Sequence, residues 1–422
     1  MQDGYLEIVD YVLKNGRERS PREMCTVDCD SVTIFLKNPM RAVPVGIGRG
    51  VNLKIGAAET ALFIAGVSYP RLLTSITPNF NEFIEFDRLF GAYGPRVYPQ
   101  YLNLISAFNR DPHTRQAGVA IARPDDITVP TRDTPCTLDV RYAIRDGKLD
   151  CNVVMRSNDV IWGLTYDAWV FTAAQCALAY ALGVDVGTYS HHAISLHIYV
   201  DRDQRILSQL HSYDGSDHPP YPFNPKKVGK IDDHARVARW RYVRNIMEGV
   251  IGVRDAAQAH LRFTDVDWYR AQLRDVVQKL SKEVAFCPTC RTFLPLSYFY
   301  ESDTRALCRW CDKDIRHKLP IGTYFRMMIA QDGRCAICDK IADLVLDHDH
   351  DTGLARGLLC DPCNKALGLL YDQPKSAVRA AQYLDLDGVN ANEWTLDYGF
   401  LYRARPRDEA VRHRLERKKT EE

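Results

Sequence analysis

The chain has 422 residues and a mass of 48.1 kDa, which is long for one domain and predicts roughly two or three. Lys and Arg total 55 against 54 Asp and Glu, so the net charge of +1 excludes a wholly basic nucleic-acid coat and an acidic tail protein. Hydrophobic residues make up 46%, without an apolar run of about eighteen, so we expect packed cores and no membrane span. The first residues lack the apolar core of a signal peptide, and we expect a cytoplasmic protein.

The first 230 residues mix segments typical of strands with segments typical of helices. Five segments have the β-branched and aromatic content of strands: 32–36, 127–131, 136–144, 151–157 and 194–201. The apolar run 167–183 ends at Gly183, which predicts a buried helix with a glycine C-cap. We therefore predict an α+β domain over residues 1–232.

The second half begins with a predicted break. Residues 213–231 are rich in Pro, Gly and Asp and predict a long loop. Residues 233–283 predict a helical connector, and residues 373–422 predict a basic helical tail. Within that tail, residues 402–419 carry eight Lys and Arg against three Asp and Glu. Such a segment contacts phosphate in some proteins but is more often merely solvated.

The 13 cysteines are unevenly distributed along the chain. Eight form four C-x-x-C pairs, at Cys287/Cys290, Cys308/Cys311, Cys335/Cys338 and Cys360/Cys363. Close pairs in a reducing compartment favour metal ligation over disulfides. The first two pairs have the spacing of a zinc ribbon and predict a structural Zn²⁺ site with four thiolates. Four of the remaining cysteines have no assigned role: Cys25, Cys29, Cys151 and Cys176.

Cys136 follows a proline at the beginning of a predicted strand. This position can hold a thiol facing a cleft, although a buried, inert side chain is the commoner fate of a lone cysteine. The downstream sequence favours catalysis. Residues 30–210 resemble thymidylate synthase and the related pyrimidine nucleotide hydroxymethylases. The motifs that carry the resemblance are Pro-Cys136, Arg156-Ser-Asn-Asp159, Gly163-Leu-Thr-Tyr-Asp167 and His197-Ile-Tyr199.

The resemblance implies a one-carbon transfer from 5,10-methylenetetrahydrofolate to carbon 5 of a pyrimidine deoxynucleotide monophosphate, in a homodimer. Cys136 would add to carbon 6 as a thiolate, Glu59 would move protons through water, and Tyr93 would lie near the proton that leaves carbon 5. The implied binding residues are Arg156, Ser157 and a partner subunit's Arg115 at the phosphate, His197 and Tyr199 at the sugar, and Asp159 at the pterin.

Asp167 predicts which base is bound. Thymidylate synthases have Asn there, which donates to the 4-carbonyl of uracil. A carboxylate only accepts hydrogen bonds, so it suits the 4-amino group of cytosine. Family members with Asp at this position resemble deoxycytidylate 5-hydroxymethylases. The alternative is that Asp167 merely caps the helix that follows.

Several positions depart from the family pattern. Thr137 replaces a His, Gln116 replaces the second intersubunit Arg, and residues 193–195 replace Gly-Gly-Asp. The Arg-Thr-Gly phosphate loop is not recognisable, and only Arg22 is near its place. These differences argue against plain thymidylate synthesis and favour hydroxymethylation, in which water captures the exocyclic methylene.

Residues 330–370 resemble the recombination endonuclease VII family of HNH nucleases, through the Asp347-His-Asp-His350 run, Arg356-Gly and Cys363-Asn364. The resemblance implies that the second cysteine quartet binds Zn²⁺ and holds a ββα unit. His348 would be the general base, assisted by His350, and Asp347 and Asn364 would bind Mg²⁺. On its own, the acidic run would be a solvated turn. We assign residues 284–372 to this zinc-ribbon and ββα-metal nuclease domain, with DNA as its partner.

The favoured interpretation is a bifunctional enzyme, a deoxycytidylate 5-hydroxymethylase joined to an HNH endonuclease, with a phage acting in its host cell as a natural setting. A second interpretation keeps the same nuclease but assigns uridylate, as a thymidylate synthase or deoxyuridylate hydroxymethylase. A third is a mobile-element or DNA-processing endonuclease with a non-catalytic synthase-like domain. Neither the DNA substrate nor any coupling between the domains follows from the sequence.

Overall fold

A computed structural model describes residues 2–39, 42, 51–211, 280, 282–300 and 307–384. They form two compact units, residues 1–329 and 330–422. The predicted loop 213–231, nearly all of the predicted connector and the tail beyond residue 384 lie outside the described residues. None of the described helices has the length and apolarity required to cross a membrane.

The first unit contains most of the secondary structure. Its helices are α1 (Gln2–Asn15), α2 (Leu53–Ala65), α3 (Pro70–Ile76), α4 (Tyr93–Arg110), α5 (Gly163–Leu182), α6 (Val200–His211), α7 (Arg309–Arg316) and α8 (Thr323–Ala330), the last of which ends at the boundary between the units. Its strands are β1 (Arg17–Arg19), β2 (Thr26–Leu36), β3 (Ile84–Glu85), β4 (Arg88–Leu89), β5 (Gly118–Ala120), β6 (Thr137–Arg145), β7 (Lys148–Met155), β8 (Asn158–Asp159), β9 (Asp185–Tyr199), β10 (Val284–Cys287) and β11 (Thr292–Pro295).

A seven-stranded mixed sheet organises this unit. Its order is β1-β2-β9-β7-β6-β5, and β8 pairs with β9. β7 and β9 are parallel, and α5 provides the crossover that a parallel pair requires. The main core lies between this sheet and helices α2, α4 and α5. A second buried cluster joins α1 and α6 to β2 and β9.

The predicted buried helix is confirmed, but it begins earlier than its apolar run. α5 starts at Gly163 and ends at Leu182, and it is followed by Gly183, whose φ of 70° is the left-handed conformation of a glycine C-cap. Asp167 therefore lies inside the helix, one turn beyond its start. The interpretation of Asp167 as a helix cap is wrong, because a cap lies outside the first helical residue.

Four of the five predicted strand segments lie in β2, β6, β7 and β9. The fifth, 127–131, is wrong, because residues 126–128 form a 3₁₀ turn and residues 129–131 belong to no strand. The buried Asp126 carboxylate accepts hydrogen bonds from Arg96 at 2.6 Å and from the Arg123 amide at 2.8 Å, which holds this segment in a turn. Pro130 also lacks the amide hydrogen that a strand ladder needs.

The first compact unit extends past the predicted boundary at 283/284 and includes the first cysteine quartet. The β10–β11 hairpin carries Val284 and Phe293 into the main core. The second unit contains an antiparallel hairpin, β12 (Leu344–His348) and β13 (Ala355–Cys360), followed by α9 (Asp361–Leu369) and α10 (Pro374–Leu384). α9 packs against both strands of that hairpin.

Candidate active sites and metal centres

Cys136 lies immediately before β6, held by the side chain of Arg156 at the end of β7. The Arg156 guanidinium donates to the Cys136 sulfur at 3.5 Å and to the Pro135 carbonyl at 2.9 Å. The Arg156 amide also donates to the Cys136 carbonyl at 2.8 Å. Burial raises the pKa of the Cys136 thiol, and Arg156 is the strongest influence lowering it. The thiolate is therefore favoured by the arginine that the motif predicted.

Arg22, which the sequence placed near the position of the family's phosphate loop, also acts on this pocket. Its charge lowers the pKa of Cys136, where burial is the largest influence and raises it. It does the same at Tyr199, whose pKa is also raised mainly by burial. Arg22 and Glu23 have φ values of 52° and 63°, a left-handed turn that local sequence did not reveal. The long-range fold thus supplies a cation where the family's phosphate loop was not recognisable.

Three half-buried acidic side chains, Glu59, Tyr93 and Asp167, act on one another or on Cys136 electrostatically. Tyr93 begins α4, and its hydroxyl accepts a hydrogen bond from the Thr137 amide at 3.2 Å. Burial raises the pKa of Glu59 to about 8, and the Asp167 charge adds to that effect. Burial likewise raises the pKa of Asp167 to about 7. Near neutral pH, Glu59 is therefore mostly protonated and Asp167 is poised between its two forms.

Asn158 holds Asp167 in place, and sequence reasoning missed it. Its amide nitrogen donates to the Asp167 carboxylate at 2.7 Å, which lowers the pKa that burial has raised. Asn158 occupies the variable position of the Arg-Ser-x-Asp motif, so only its place between the motif residues Ser157 and Asp159 could have indicated that it lies at the site. The short strand β8 brings it beside α5, at the close approach of Gly163.

The predicted sugar-binding residues are adjacent. The Ser157 hydroxyl lies 3.4 Å from Nδ1 of His197, and the His197 and Tyr199 rings are 4.9 Å apart at near right angles. Burial lowers the pKa of His197, which favours a neutral imidazole. The predicted phosphate ligand Arg115 is exposed between α4 and β5 and takes no part in these hydrogen bonds among the described residues.

Asp159 has a structural partner that the motif did not reveal. Its carboxylate forms an ion pair with Arg202 on α6 at 2.5 Å and accepts hydrogen bonds from the amides of Ile161 and Trp162. Arg202 also pairs with Asp203 at 2.8 Å. Asp159 therefore links the segment before α5 to α6, and it also lies beside the pocket.

Both cysteine quartets are brought together in space. The ligand atoms of each set lie within 4.8 Å of one another: Cys287, Cys290, Cys308 and Cys311 in the first, and Cys335, Cys338, Cys360 and Cys363 in the second. Two sulfur–sulfur separations are 4.0 Å (Cys290–Cys308) and 3.7 Å (Cys338–Cys360). Tetrahedral zinc with bonds of ~2.3 Å requires roughly 3.8 Å, so both sets fit a zinc ion.

In the second unit, the predicted metal ligand Asp347 is engaged by an arginine. Arg356 donates to both Asp347 oxygens, at 2.8 and 3.0 Å, and to Asp372 at 3.0 Å. His350 lies 3.3 Å from the same Asp372, and its ring is 4.9 Å from that of His348. Asp372 was not predicted, since it lies beyond the motif.

Two other residues of the nuclease motif, Asp349 and Asn364, lie in a turn and in a helix respectively. Asp349 accepts hydrogen bonds from the amides of Asp351 and Thr352 and therefore shapes the turn between the strands. Asn364 follows Cys363 in the first turn of α9 and is half-buried. Because α9 covers the hairpin that carries His348, the motif residues belong to one small scaffold.

A thymidylate synthase profile matches residues 3–238, more than half of the chain, and a recombination endonuclease VII profile matches residues 312–386. The chain therefore belongs to the thymidylate synthase family and carries a region of the endonuclease VII family. Both resemblances found in the sequence are confirmed.

Three relatives are informative. A deoxyuridylate hydroxymethyltransferase of Bacillus phage SP01 is 34% identical over 217 residues, which is 47% of this chain and 56% of that protein. A deoxyuridylate hydroxymethyltransferase of Delftia phage PhiW-14 is 28% identical over 191 residues, 39% of this chain and 51% of that protein. A putative thymidylate synthase of Methanocaldococcus jannaschii is 40% identical over 205 residues, 47% and 86% respectively. The chain spans about half the length of the two phage relatives.

Proposed function

We propose that the synthase-family unit hydroxymethylates carbon 5 of a pyrimidine deoxynucleotide monophosphate, with deoxycytidylate as the substrate. The observation that carries this proposal is the pocket in which the Cys136 sulfur faces Arg156 while the half-buried Asp167 lies nearby. A thiolate beside an arginine suits addition to carbon 6. The hydrogen bond from Arg156 to the Cys136 sulfur supports a working enzyme over a non-catalytic remnant.

In the proposed reaction, the Cys136 sulfur bonds to carbon 6 and carbon 5 becomes nucleophilic. 5,10-Methylenetetrahydrofolate supplies the one-carbon unit that carbon 5 attacks. A proton then leaves carbon 5 near Tyr93, and the bond between the one-carbon unit and the folate nitrogen breaks, so that tetrahydrofolate departs and an exocyclic methylene remains. Water adds to this methylene, and Cys136 leaves as a thiolate. Glu59 relays protons, because a carboxyl with a pKa of about 8 is able to give and take them near neutral pH.

The base is recognised at Asp167. Ionised, its carboxylate accepts a hydrogen bond from the 4-amino group of cytosine. Protonated, it offers a donor to the 4-carbonyl of uracil, as an asparagine does. Deoxyuridylate is therefore the second candidate substrate, favoured by the names of the two phage relatives and by a pKa near 7.

The 5′-phosphate is proposed to bind Arg22, Arg156 and Ser157, together with a partner subunit's Arg115. The face of the sheet opposite the main core supports a homodimer, because Phe35 is 73% exposed there. A partner covering that face would bury it. Asp159 is proposed to face the pterin while remaining paired with Arg202.

We further propose that the endonuclease VII region cleaves DNA with a divalent cation such as Mg²⁺. Asp347 and Asn364 would hold the ion with oxygen ligands, and His348 would activate water. Because Arg356 contacts both Asp347 oxygens, the cation must compete with that guanidinium. Two structural Zn²⁺ ions, one in each quartet, would fix the ligand loops.

Product mass tests the first proposal. Purified protein with methylenetetrahydrofolate and deoxycytidylate should yield a product heavier by CH₂O, about 30 Da. A product from deoxyuridylate alone would overturn the base assignment, and a methyl product would overturn hydroxymethylation. For the nuclease, cleavage of plasmid or branched DNA should require added Mg²⁺; cleavage that persists after Mg²⁺ removal contradicts the proposed ion.

A further inference from the structure

The first cysteine quartet is attached to the core of the synthase-family unit. Phe293 of β11 stacks on Tyr69 with ring centroids 4.5 Å apart, and its amide donates to the Ser68 carbonyl at 2.9 Å. The Arg291 side chain donates to the Gly66 carbonyl at 2.6 Å and lies over the Tyr98 ring. These contacts tie the quartet's hairpin to the ends of α2 and α3 and to α4.

Arg88 connects this quartet to the rest of the unit. The side chain is 5% exposed, and its guanidinium donates to the Cys308 sulfur at 3.1 Å while lying 4.6 Å from the centre of the Trp310 ring. Among the described residues, no carboxylate forms an ion pair with it within 4.0 Å. A buried guanidinium needs an anion nearby, because desolvating an unpaired charge is costly.

A metal–thiolate centre supplies that anion. Four thiolates around one Zn²⁺ carry a net charge of about −2, which a buried arginine offsets. Neutral thiols would leave Arg88 without an anion in direct contact. The nearby Asp314 carboxylate, whose pKa burial raises and the Arg88 charge lowers, instead accepts hydrogen bonds from the Gly322 and Tyr324 amides. The charge balance at Arg88 therefore favours a loaded metal centre in the first quartet.

The chain runs directly from Arg88 to the catalytic pocket. The Phe90 carbonyl accepts a hydrogen bond from Arg96 at 2.9 Å, and the Gly91 amide donates to Asp133 at 2.7 Å. Gly91 approaches Asp133 so closely that an added Cβ would lie 2.2 Å from the Asp133 carbonyl oxygen. Asp133 is three residues before Cys136, and Tyr93, two residues after Gly91, accepts from the Thr137 amide on the other side of the cysteine.

We propose that a metal ion bound by Cys287, Cys290, Cys308 and Cys311 serves the synthase-family unit, with Arg88 as the positioning residue through which metal occupancy orders the segment 88–93 and the Cys136 loop. The second quartet has no such role in that unit. This inference goes beyond the proposed reaction, since it concerns the geometry of the pocket and holds for either base.

Paired ligand substitutions test the assignment in the full chain. Cys308→Ser and Cys360→Ser should each lower zinc content by about one equivalent per chain, measured by metal analysis. The rate at which iodoacetamide alkylates Cys136, measured by peptide mass spectrometry, should change severalfold in Cys308→Ser and stay unchanged in Cys360→Ser. An unchanged alkylation rate in Cys308→Ser, or an equal change in Cys360→Ser, overturns the proposal. This readout needs no hydroxymethylase activity, so failure of the proposed reaction remains distinguishable.

Arg88→Met covers the case in which Cys308→Ser fails to fold. Removing a contact to a metal ligand typically weakens metal affinity by ~10–100-fold, so a chelator should remove one zinc ion faster from Arg88→Met while the other keeps its rate. Cys136 alkylation should change in parallel, and Arg88→Lys should restore part of both. Arg145→Met is the matched control, because this exposed arginine at the end of β6 donates to the Ile144 carbonyl at 2.9 Å and lies outside the quartet. Wild-type behaviour of Arg88→Met in both measurements, or the same changes in Arg145→Met, overturns the proposal.

Discussion

The two cysteine quartets have the same local design and different surroundings. In each, one C-x-x-C pair lies on a loop beside a hairpin and the other at the beginning of a helix, α7 or α9. The first quartet adjoins a buried arginine and aromatic core side chains. The second is carried by the same small scaffold as His348 and Asp347. The shared cysteine pattern therefore predicts where a metal binds, and the neighbouring side chains indicate which unit the metal would stabilise.

The strongest test of this separation is Cys136→Ser. We expect product formation to fall by at least ~10³-fold, because a serine hydroxyl is a far weaker nucleophile than a thiolate and the effects of such deletions are large. Product mass spectrometry measures the loss. Zinc content and DNA cleavage should stay unchanged; residual activity within tenfold of the wild type would contradict the nucleophile assignment.

His348→Ala is the reciprocal change in the second unit. A general base contributes about 10²–10⁴-fold, so Mg²⁺-dependent plasmid cleavage should fall by that amount. About two zinc ions per chain should remain, since His348 belongs to neither quartet, and hydroxymethylation should be intact. Persistent cleavage would mean that another residue activates water.

Asp167→Asn should shift the substrate preference from cytosine toward uracil by about 10–100-fold, the worth of a buried, charge-assisted hydrogen bond. In the unmodified chain, the preference for deoxycytidylate over deoxyuridylate should rise as pH increases through about 7, because Asp167 ionises there. The substitution should remove this rise. It should also lower the pKa of Glu59, whose value the Asp167 charge helps to raise. Competition assays across pH measure the substrate preference and its pH dependence. An unaltered ratio of cytosine to uracil product in Asp167→Asn would exclude Asp167 from base recognition.

Asn158→Ala should have the smallest effect, a loss of roughly 2–10-fold in base discrimination. Without the Asn158 donor, the pKa of Asp167 rises, so the increase in cytosine preference should move to higher pH. Asn103→Ala, at an exposed position of α4, is the control. A pH dependence identical to that of the wild type would show that Asn158 does not tune Asp167.

Sequence reasoning was most informative where the residues of a motif are close together in the chain. The family resemblance of two short motifs implied the roles of Cys136 and Arg156, and the spacing of the C-x-x-C pairs predicted metal ligation. It failed for residues 127–131, where β-branched side chains favoured a strand but the buried Arg96–Asp126 pair imposes a turn. It also left Asp167 open between capping and recognition, because the beginning of α5 was not visible in its apolar pattern.

The sequence by itself determined the two families, and it predicted the metal-ligand sets and the nucleophile, because the motifs for each consist of residues close together in the chain. Only the tertiary structure assigned the first quartet to the synthase-family unit. The hydrogen bond from Arg88 to Cys308 spans 220 residues, and no periodicity or spacing predicts such a contact. The same holds for Arg202 beside Asp159. The fold brings opposite charges together, because burying an unpaired charge is costly wherever its partner lies in the sequence.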